Sequence, residues 1–246
     1  MSERYWRRPM PMAAVLLAAA GAAALTGCGA SAGTGAASST ATAGLAANAG
    51  QAEPAAFTAT QLQAALLGTV NGKAPVAPAE AGAYGALPDV ESSKASLRGV
   101  TVTPAKCAQA TVTGFNSSTF AKAPASVVTF RVGRDGVSEV IVAATAQTAQ
   151  TALASRLPAG CAHYKATVDG KTFSYAVKES TVSGIADQAR ALNVKAAGYA
   201  SVDVWSVVYR GSGFVGAVTI VGPAATEQAA KVLAGEAYNR AVESLH

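Results

Sequence analysis

The chain has 246 residues, of which half are hydrophobic and 13% are charged, and its formal net charge is +5. A chain of this length is large enough to bury a proper core. The positive charge is mild and scattered, so nucleic acid and acidic polymers are not expected as dedicated partners.

Three arginines, Arg4, Arg7 and Arg8, precede an uncharged run rich in Ala, Leu and Val at residues 12–25. The run has the length of the hydrophobic region of a signal peptide. It is too short to cross a bilayer of about 30 Å as a helix. A membrane-spanning helix is therefore the less favoured alternative.

The run ends in Leu25-Thr26-Gly27-Cys28, which resembles the lipobox of bacterial lipoproteins. The resemblance implies that residues 1–27 are removed as a signal peptide and that Cys28 carries the lipid, diacylglycerol and palmitate-type chains. The alternative is an ordinary signal peptide in which Cys28 has no role. We expect lipid anchoring on the outer face of the cell membrane, and buried methylenes contribute about 0.8 kcal/mol each. The mature chain then has 16 basic and 13 acidic residues, a net charge of +3.

The segment after the cysteine is almost entirely Ala, Gly, Ser and Thr and has no hydrophobic periodicity. Such a segment cannot bury enough apolar surface to offset its backbone entropy. Residues 28–56 are therefore predicted to be a flexible tether with a reach of about 30 Å. Residues 57–246 are predicted to form one domain.

Within this domain, the hydrophobic periodicity predicts hairpin strands with helices at both ends. Thr58 is placed to cap the first helix, and the Asp-Gly pairs at 135–136 and 169–170 predict hairpin turns. The Pro- and Gly-rich stretch 72–90 predicts a loop. Predicted helices cover 61–67, 144–156 and 225–245, and predicted strands cover 109–115, 127–132, 137–143, 172–178, 201–210 and 214–221. The expected fold class is α+β with a largely antiparallel sheet.

If Cys28 carries lipid, Cys107 and Cys161 remain as an even pair in an oxidising compartment. A disulfide between them is predicted, with two reduced thiols as the alternative. It would close a loop of about 55 residues and stabilise the domain by roughly 4 kcal/mol on the chain-entropy model. The chain has no Cys-x-x-Cys motif, so a redox role is not expected.

A Gly-x-Gly-x-x-Gly pattern at residues 211–216 suggests a dinucleotide site at first sight. That site needs a helix immediately after the glycines, where the pyrophosphate would bind. Here a predicted strand follows, so we interpret the pattern as a hairpin turn.

Candidate catalytic residues are few. His163 has no Gly-x-Ser-x-Gly serine to activate and no cluster of metal ligands near it in sequence, so a surface or packing role is expected. His246 is the last residue. Trp205, Tyr209 and Tyr199 could line a pocket, but core packing is the favoured interpretation. We expect no cofactor, no metal site and no enzymatic activity.

The domain resembles the extracytoplasmic sensor domain of mycobacterial PknH-type Ser/Thr kinases, which recurs in free-standing actinobacterial lipoproteins. The features that carry the resemblance are the Leu-Leu helix at 61–67, Pro104-Ala-Lys-Cys107, Leu157-Pro-Ala-Gly-Cys161, the strand at 202–209 with its hairpin partner, and the closing helix at 226–245. The kinase domains usually carry two disulfides, whereas this domain can carry one.

The resemblance implies a non-catalytic binding or sensing module that would take a small ligand, an envelope fragment or a protein partner in a sheet-lined cleft. The first alternative is a structural or accessory envelope lipoprotein that binds a protein partner. The second is a hydrolase acting on the cell wall, which a carboxylate pair or a Ser/His pair within reach in the fold would indicate, for example Ser212 or Asp203 near His163.

Overall fold

The computed structural model describes residues 57–109, 119–186, 188–197 and 202–245. The helices are α1 (Ala59–Ala65), α2 (Pro88–Ser96), α3 (Ala146–Ala154) and α4 (Glu227–Ser244), with short 3-10 helices at Tyr84–Ala86 and Ala105–Gln109. The strands are β1 (Glu80–Ala83), β2 (Thr101–Thr103), β3 (Pro124–Val132), β4 (Asp135–Ala143), β5 (His163–Val168), β6 (Lys171–Val182), β7 (Gln188–Ala197), β8 (Val202–Gly211) and β9 (Phe214–Gly222).

The described strands form one nine-stranded sheet in the order β1-β3-β4-β9-β8-β7-β6-β5-β2. Each neighbouring pair is antiparallel. The α+β class with an antiparallel sheet, predicted from the sequence, is therefore confirmed.

Helices cover the sheet on both faces, and β8 shows how the sequence directs this. Val207 and Tyr209 belong to the core shared with α1 and α4, whereas Val208 belongs to the core beneath α3. Alternate residues of a strand point to opposite faces, so a hydrophobic residue at every position requires cover on both sides. The predicted core role of Tyr209 is confirmed, since its side chain is fully buried.

The first helix begins at a capping box. The Thr58 hydroxyl accepts from the Gln61 N–H, and the Gln61 side chain accepts from the Thr58 N–H at 2.8 Å. Two N–H groups that the helix cannot satisfy are thereby paired. The helix was predicted at 61–67 and spans Ala59–Ala65.

The prediction of a loop over residues 72–90 is wrong for the second half of that range. Glu80–Ala83 forms β1, which pairs with β3, and α2 begins at Pro88. An Ala- and Gly-containing edge strand has little propensity of its own, so backbone pairing with β3 decides its conformation. Proline at the first position and acidic side chains in the first turn favour the start of α2.

The first predicted hairpin turn is displaced by two residues. The turn between β3 and β4 is Gly133-Arg134, with a positive φ of 62° at Gly133, and Asp135 already belongs to β4. A glycine at the first central position is typical of a type II′ turn, which suits the strand twist. The Asp135 carboxylate instead accepts a hydrogen bond from the Ala224 N–H at 3.1 Å.

The turn predicted at Asp169-Gly170 is confirmed, with positive φ at both residues. The glycine pattern at 211–216 likewise lies in the β8–β9 hairpin, as interpreted. The predicted strand at 109–115 falls almost entirely outside the described residues.

The predicted disulfide is present between Cys107 and Cys161, with a Cα–Cα separation of 5.4 Å. Both cysteines are fully buried in a small core with Tyr164 and Leu192. The bond joins the 3-10 helix Ala105–Gln109 to the segment that leads into β5. It therefore fixes the end of the sheet that lies furthest from β1.

Candidate ligand-binding cleft

A cleft of about 490 Å³ lies between the C-terminal end of α3 and the adjoining ends of β6 and β7. We call it the α3 cleft. Its lining residues are Gln150, Leu153, Ala154, Arg156, Glu179, Ser180, Thr181, Val182, Gln188, Ala189 and Arg190. A volume of this size is within the range of small-molecule sites.

The α3 cleft contains an ion pair with little exposure to solvent. Nη1 of Arg190, on β7, lies 3.2 Å from Oε1 of Glu179 on β6, and the two side chains are 7% and 20% exposed. The same Nη1 also donates to the backbone carbonyl of Ser155. Arg190 thus ties the sheet to the end of α3.

Glu179 is held from a second side. Its two carboxylate oxygens lie 3.1 and 3.2 Å from the backbone N of Leu157, which donates to them. With Arg190 on one side and this N–H on the other, the charge of Glu179 is largely satisfied within the protein. The Nε atom of Arg190, by contrast, is buried and has no hydrogen-bond partner among the described residues.

The early end of α3 leaves backbone groups that shape this site. The helix was expected to run to residue 156, but it ends at Ala154. The carbonyl of Ser155 and the N–H of Leu157 are then free to bond Arg190 and Glu179. Pro158 restricts the residue before it to extended conformations, which favours this early ending.

The mouth of the α3 cleft is formed by exposed residues of the same segment. Gln150, Ala154 and Arg156 are exposed, and Nη1 of Arg156 donates to the Leu153 carbonyl at 2.8 Å. A cation at this position satisfies a carbonyl that the helix end leaves unpaired.

Sequence reasoning did not identify the α3 cleft. Glu179 and Arg190 lie in no motif, and 11 residues separate them in the chain. Only the pairing of β6 with β7, which places Thr181 opposite Arg190, brings them close. The one available signal was an opposite-charge pair on two adjacent strands, which is common.

The residues of the hydrolase hypothesis are not brought together. His163, Ala176, Lys195 and Asp203 are register partners in one row across β5, β6, β7 and β8. Strands lie about 4.8 Å apart, so His163 and Asp203 are separated by roughly 14 Å. Asp203 instead lies 3.3 Å from the Lys195 ammonium.

His163 is exposed on β5, and Trp205 is partly buried against the core under α4. Ser212 lies in the β8–β9 turn, at the opposite end of β8 from Asp203. Cys28, Tyr199 and His246 lie outside the described residues, as do the signal peptide and the tether.

The described part of the chain has neither a cluster of metal-ligating residues nor a helix suited to crossing a membrane. No group of three or more His, Cys, Asp or Glu residues there could hold a metal ion. None of its helices combines the length and apolar character needed to cross a membrane.

A second buried polar cluster lies under α1 and α4, away from the α3 cleft. Glu139 on β4 is fully buried, and its Oε2 accepts from the Leu67 N–H at 2.8 Å. Burial raises the pKa of Glu139 to about 7, and the opposing effects of this N–H and of Arg240 are smaller. Arg240 donates to the Leu66 carbonyl. Glu139 and Arg240 both bond backbone groups just after α1, so this cluster joins α1 and α4 to the sheet.

A groove of about 450 Å³ also lies between the loop at 183–185 and α4. Its charged side chains, Lys231 and Glu236, are partly or fully solvent-exposed. This groove has no charged side chain as little exposed as that of Arg190, so we consider the α3 cleft the better candidate site.

No family model matches the chain, and no curated protein matches it significantly. Among solved structures, it is similar to the extracellular domain of PknH from Mycobacterium tuberculosis, with a TM-score of 0.50 and 13% sequence identity. The match covers 76% of this chain and 97% of that domain. A putative uncharacterized protein from Mycobacterium smegmatis, the Rv0999 ortholog, has a TM-score of 0.39 and 15% identity over 58% of this chain and 76% of its own.

The similarity to the PknH domain confirms the fold that the sequence resemblance implied. At 13% identity it is a similarity of fold alone.

Proposed function

We propose that this chain is a lipid-anchored, extracytoplasmic binding or sensing module of the cell envelope, and that its ligand site is the α3 cleft. Cys28 would carry the anchor, and the domain that begins near residue 57 would bind the ligand. The chain would have no catalytic role, and any signal would pass to a partner protein.

The observation that carries the proposal is the construction of the α3 cleft. Buried charged groups are rare in proteins because desolvation is costly, and here the buried Arg190 pairs with the partly buried Glu179 in a cleft of ligand size. The segment after α3 and the β6–β7 pair meet at this site, joined by the bonds of Ser155 and Leu157 to Arg190 and Glu179. The fold shared with a kinase extracellular domain supports the extracytoplasmic location.

The proposal is tested by a thermal-shift screen of the full chain, purified in detergent under non-reducing conditions. The panel consists of envelope fragments, lipids and small metabolites. A ligand at 100 times its dissociation constant stabilises a protein by about 2.7 kcal/mol, which is readily measured. We expect at least one saturable hit.

A matched pair of variants shows whether a hit uses the α3 cleft. Ala154 is exposed at the mouth, and Ala146 is exposed at the other end of α3. Ala154→Trp should fill the mouth and abolish the shift, whereas Ala146→Trp should leave it unchanged. Loss of the shift in both variants, or in neither, contradicts the assignment of the site. If no compound binds, the accessory hypothesis gains support, and crosslinking in intact cells would identify the protein partner.

A further inference from the structure

The chemistry of the α3 cleft indicates which class of ligand it would take. We infer that it binds small organic molecules that carry an oxyanion, a carboxylate or a phosphate, and that the oxyanion is bound by Arg190 and Arg156. This inference rests on the proposed binding function of the cleft and adds the ligand class.

The two partners of the ion pair differ in how fully their hydrogen-bonding groups are satisfied. The Glu179 carboxylate accepts from both Arg190 and the Leu157 N–H. The Arg190 guanidinium has its known hydrogen bonds through Nη1 alone, and its Nε has no partner among the described residues. A buried charged donor without an acceptor is costly, so a turn of the side chain that gave this donor a negatively charged ligand oxygen would be favourable.

The geometry of arginine favours an oxyanion over a neutral acceptor. Nε and Nη2 form one edge of the planar guanidinium, and this edge matches two oxygens of a carboxylate or phosphate. The Nε atom of Arg190 is covered by protein, so the guanidinium must turn toward the mouth to present this edge. That turn would loosen its bond to the Ser155 carbonyl and thereby report the ligand at the end of α3.

The charges that line the α3 cleft favour the same class of ligand. Two guanidinium groups, those of Arg156 and Arg190, face one carboxylate, that of Glu179. The carbonyl end of a helix by itself disfavours an anion. In α3 two of those carbonyls are already bonded, one by each arginine, which reduces this opposing effect.

The test compares matched anionic and neutral probes on the full chain. Hexanoate is compared with hexanamide, and glucose 6-phosphate with glucose, each at millimolar concentration and constant ionic strength, by thermal shift and calorimetric titration. The anionic member of at least one pair should bind and its neutral partner should not. The pair that responds distinguishes a carboxylate from a phosphate ligand.

Variants then locate the bound anion. Arg156→Gln removes an exposed charge at the mouth and should weaken anion binding by about three- to tenfold. Arg134→Gln removes another exposed charge, in the β3–β4 turn outside the lining of the α3 cleft, and should leave the affinity unchanged. Replacing Arg190 alone would leave Glu179 without its cation and destabilise the fold. The double variant Arg190→Met with Glu179→Gln is used instead and should abolish anion binding while remaining folded.

The outcomes separate this inference from the proposed function. The inference is overturned if no anionic probe binds, if neutral probes bind equally well, or if Arg156→Gln and Arg134→Gln behave alike. If neutral probes bind equally well and Ala154→Trp blocks their binding, the proposed binding function stands and only the ligand class is refuted.

Discussion

Single residues show how closely the core under α4 is packed. Tyr209 on β8 lies opposite Gly216 on β9, and its ring lies over the glycine. A Cβ at residue 216 would lie 2.4 Å from ring carbons of Tyr209, closer than any real contact. The absence of a side chain at Gly216 therefore makes room for the largest fully buried side chain of the described core.

Gly216→Ala should lower the free energy of unfolding by about 1–3 kcal/mol, because the ring must move within a packed core. Gly235→Ala is the matched control, since Gly235 lies inside α4 with no atom within 4 Å of a new Cβ. The control should stabilise the chain by about 0.5–1 kcal/mol through helix propensity. Chemical unfolding of both variants tests this, and equal effects would show that the ring is not confined.

Glu139 makes the stability depend on pH. Its pKa in the folded state is raised by burial from 4.5 to about 7. Between these pH values the folded state binds a proton that the unfolded state has lost. The free energy of unfolding should therefore fall as the pH rises from about 4.5 to 7, by on the order of 3 kcal/mol in all.

Unfolding titrations across this range should show a clearly smaller slope for Glu139→Gln than for the unmodified chain. The amide keeps an oxygen that can accept from the Leu67 N–H but carries no titratable proton. Glu243→Gln, at an exposed position of α4, should retain the full slope. The same slope in Glu139→Gln and the unmodified chain would mean that Glu139 does not bind the proton.

At the scale of elements, the disulfide compensates for weak secondary structure. The 3-10 helix Ala105–Gln109 and the three-residue strand β2 offer few backbone bonds of their own. The bond to Cys161 holds this segment against β5, across a sequence separation of 54.

Replacing both Cys107 and Cys161 by Ser should lower the free energy of unfolding by about 4 kcal/mol on the chain-entropy model. Urea unfolding with and without reductant measures the effect. The reductant should destabilise the unmodified chain and leave the double variant unaffected. A destabilisation by reductant that persists in the double variant would exclude the disulfide as its cause.

Burial on both faces did not by itself hide a strand. In β8 and β9, runs of β-branched and aromatic residues predict strands although helices cover both faces of each. In β7 the residues at 189–194 are all buried, so no period of two is visible in the sequence. β7 lies between β6 and β8 and has a single β-branched residue, Val194, so neither a period of two nor strand propensity marks it in the sequence.

The candidate site was less predictable than the fold for a related reason. The fold class and the hairpins follow from local sequence patterns. The disulfide follows from an even pair of cysteines expected in an oxidising compartment. The α3 cleft depends on where α3 ends and on which strand lies beside β6. The end of α3 is set in part by hydrogen bonds of Ser155 and Leu157 to side chains that are distant in sequence. The order of strands in the sheet determines which strand lies beside β6.

At the scale of the whole molecule, the expected anchor makes a simple prediction. Cys28→Ala should release the protein from the membrane into the medium and abolish incorporation of labelled fatty acid. Ser31→Ala, three residues away in the predicted tether, should stay with the membrane. Fractionation of cells measures both, and a Cys28→Ala protein that remains in the membrane would refute the lipoprotein assignment.

Hydrogen–deuterium exchange of the full chain tests most directly whether the α3 cleft is a ligand site. Exchange is measured with and without a compound that stabilises the chain. Slower exchange should be concentrated at residues 150–157, 179–182 and 188–190, where ligand contacts would reduce local opening. Protection confined to α4 and the loop at 183–185 would place the ligand in the other groove and contradict the account.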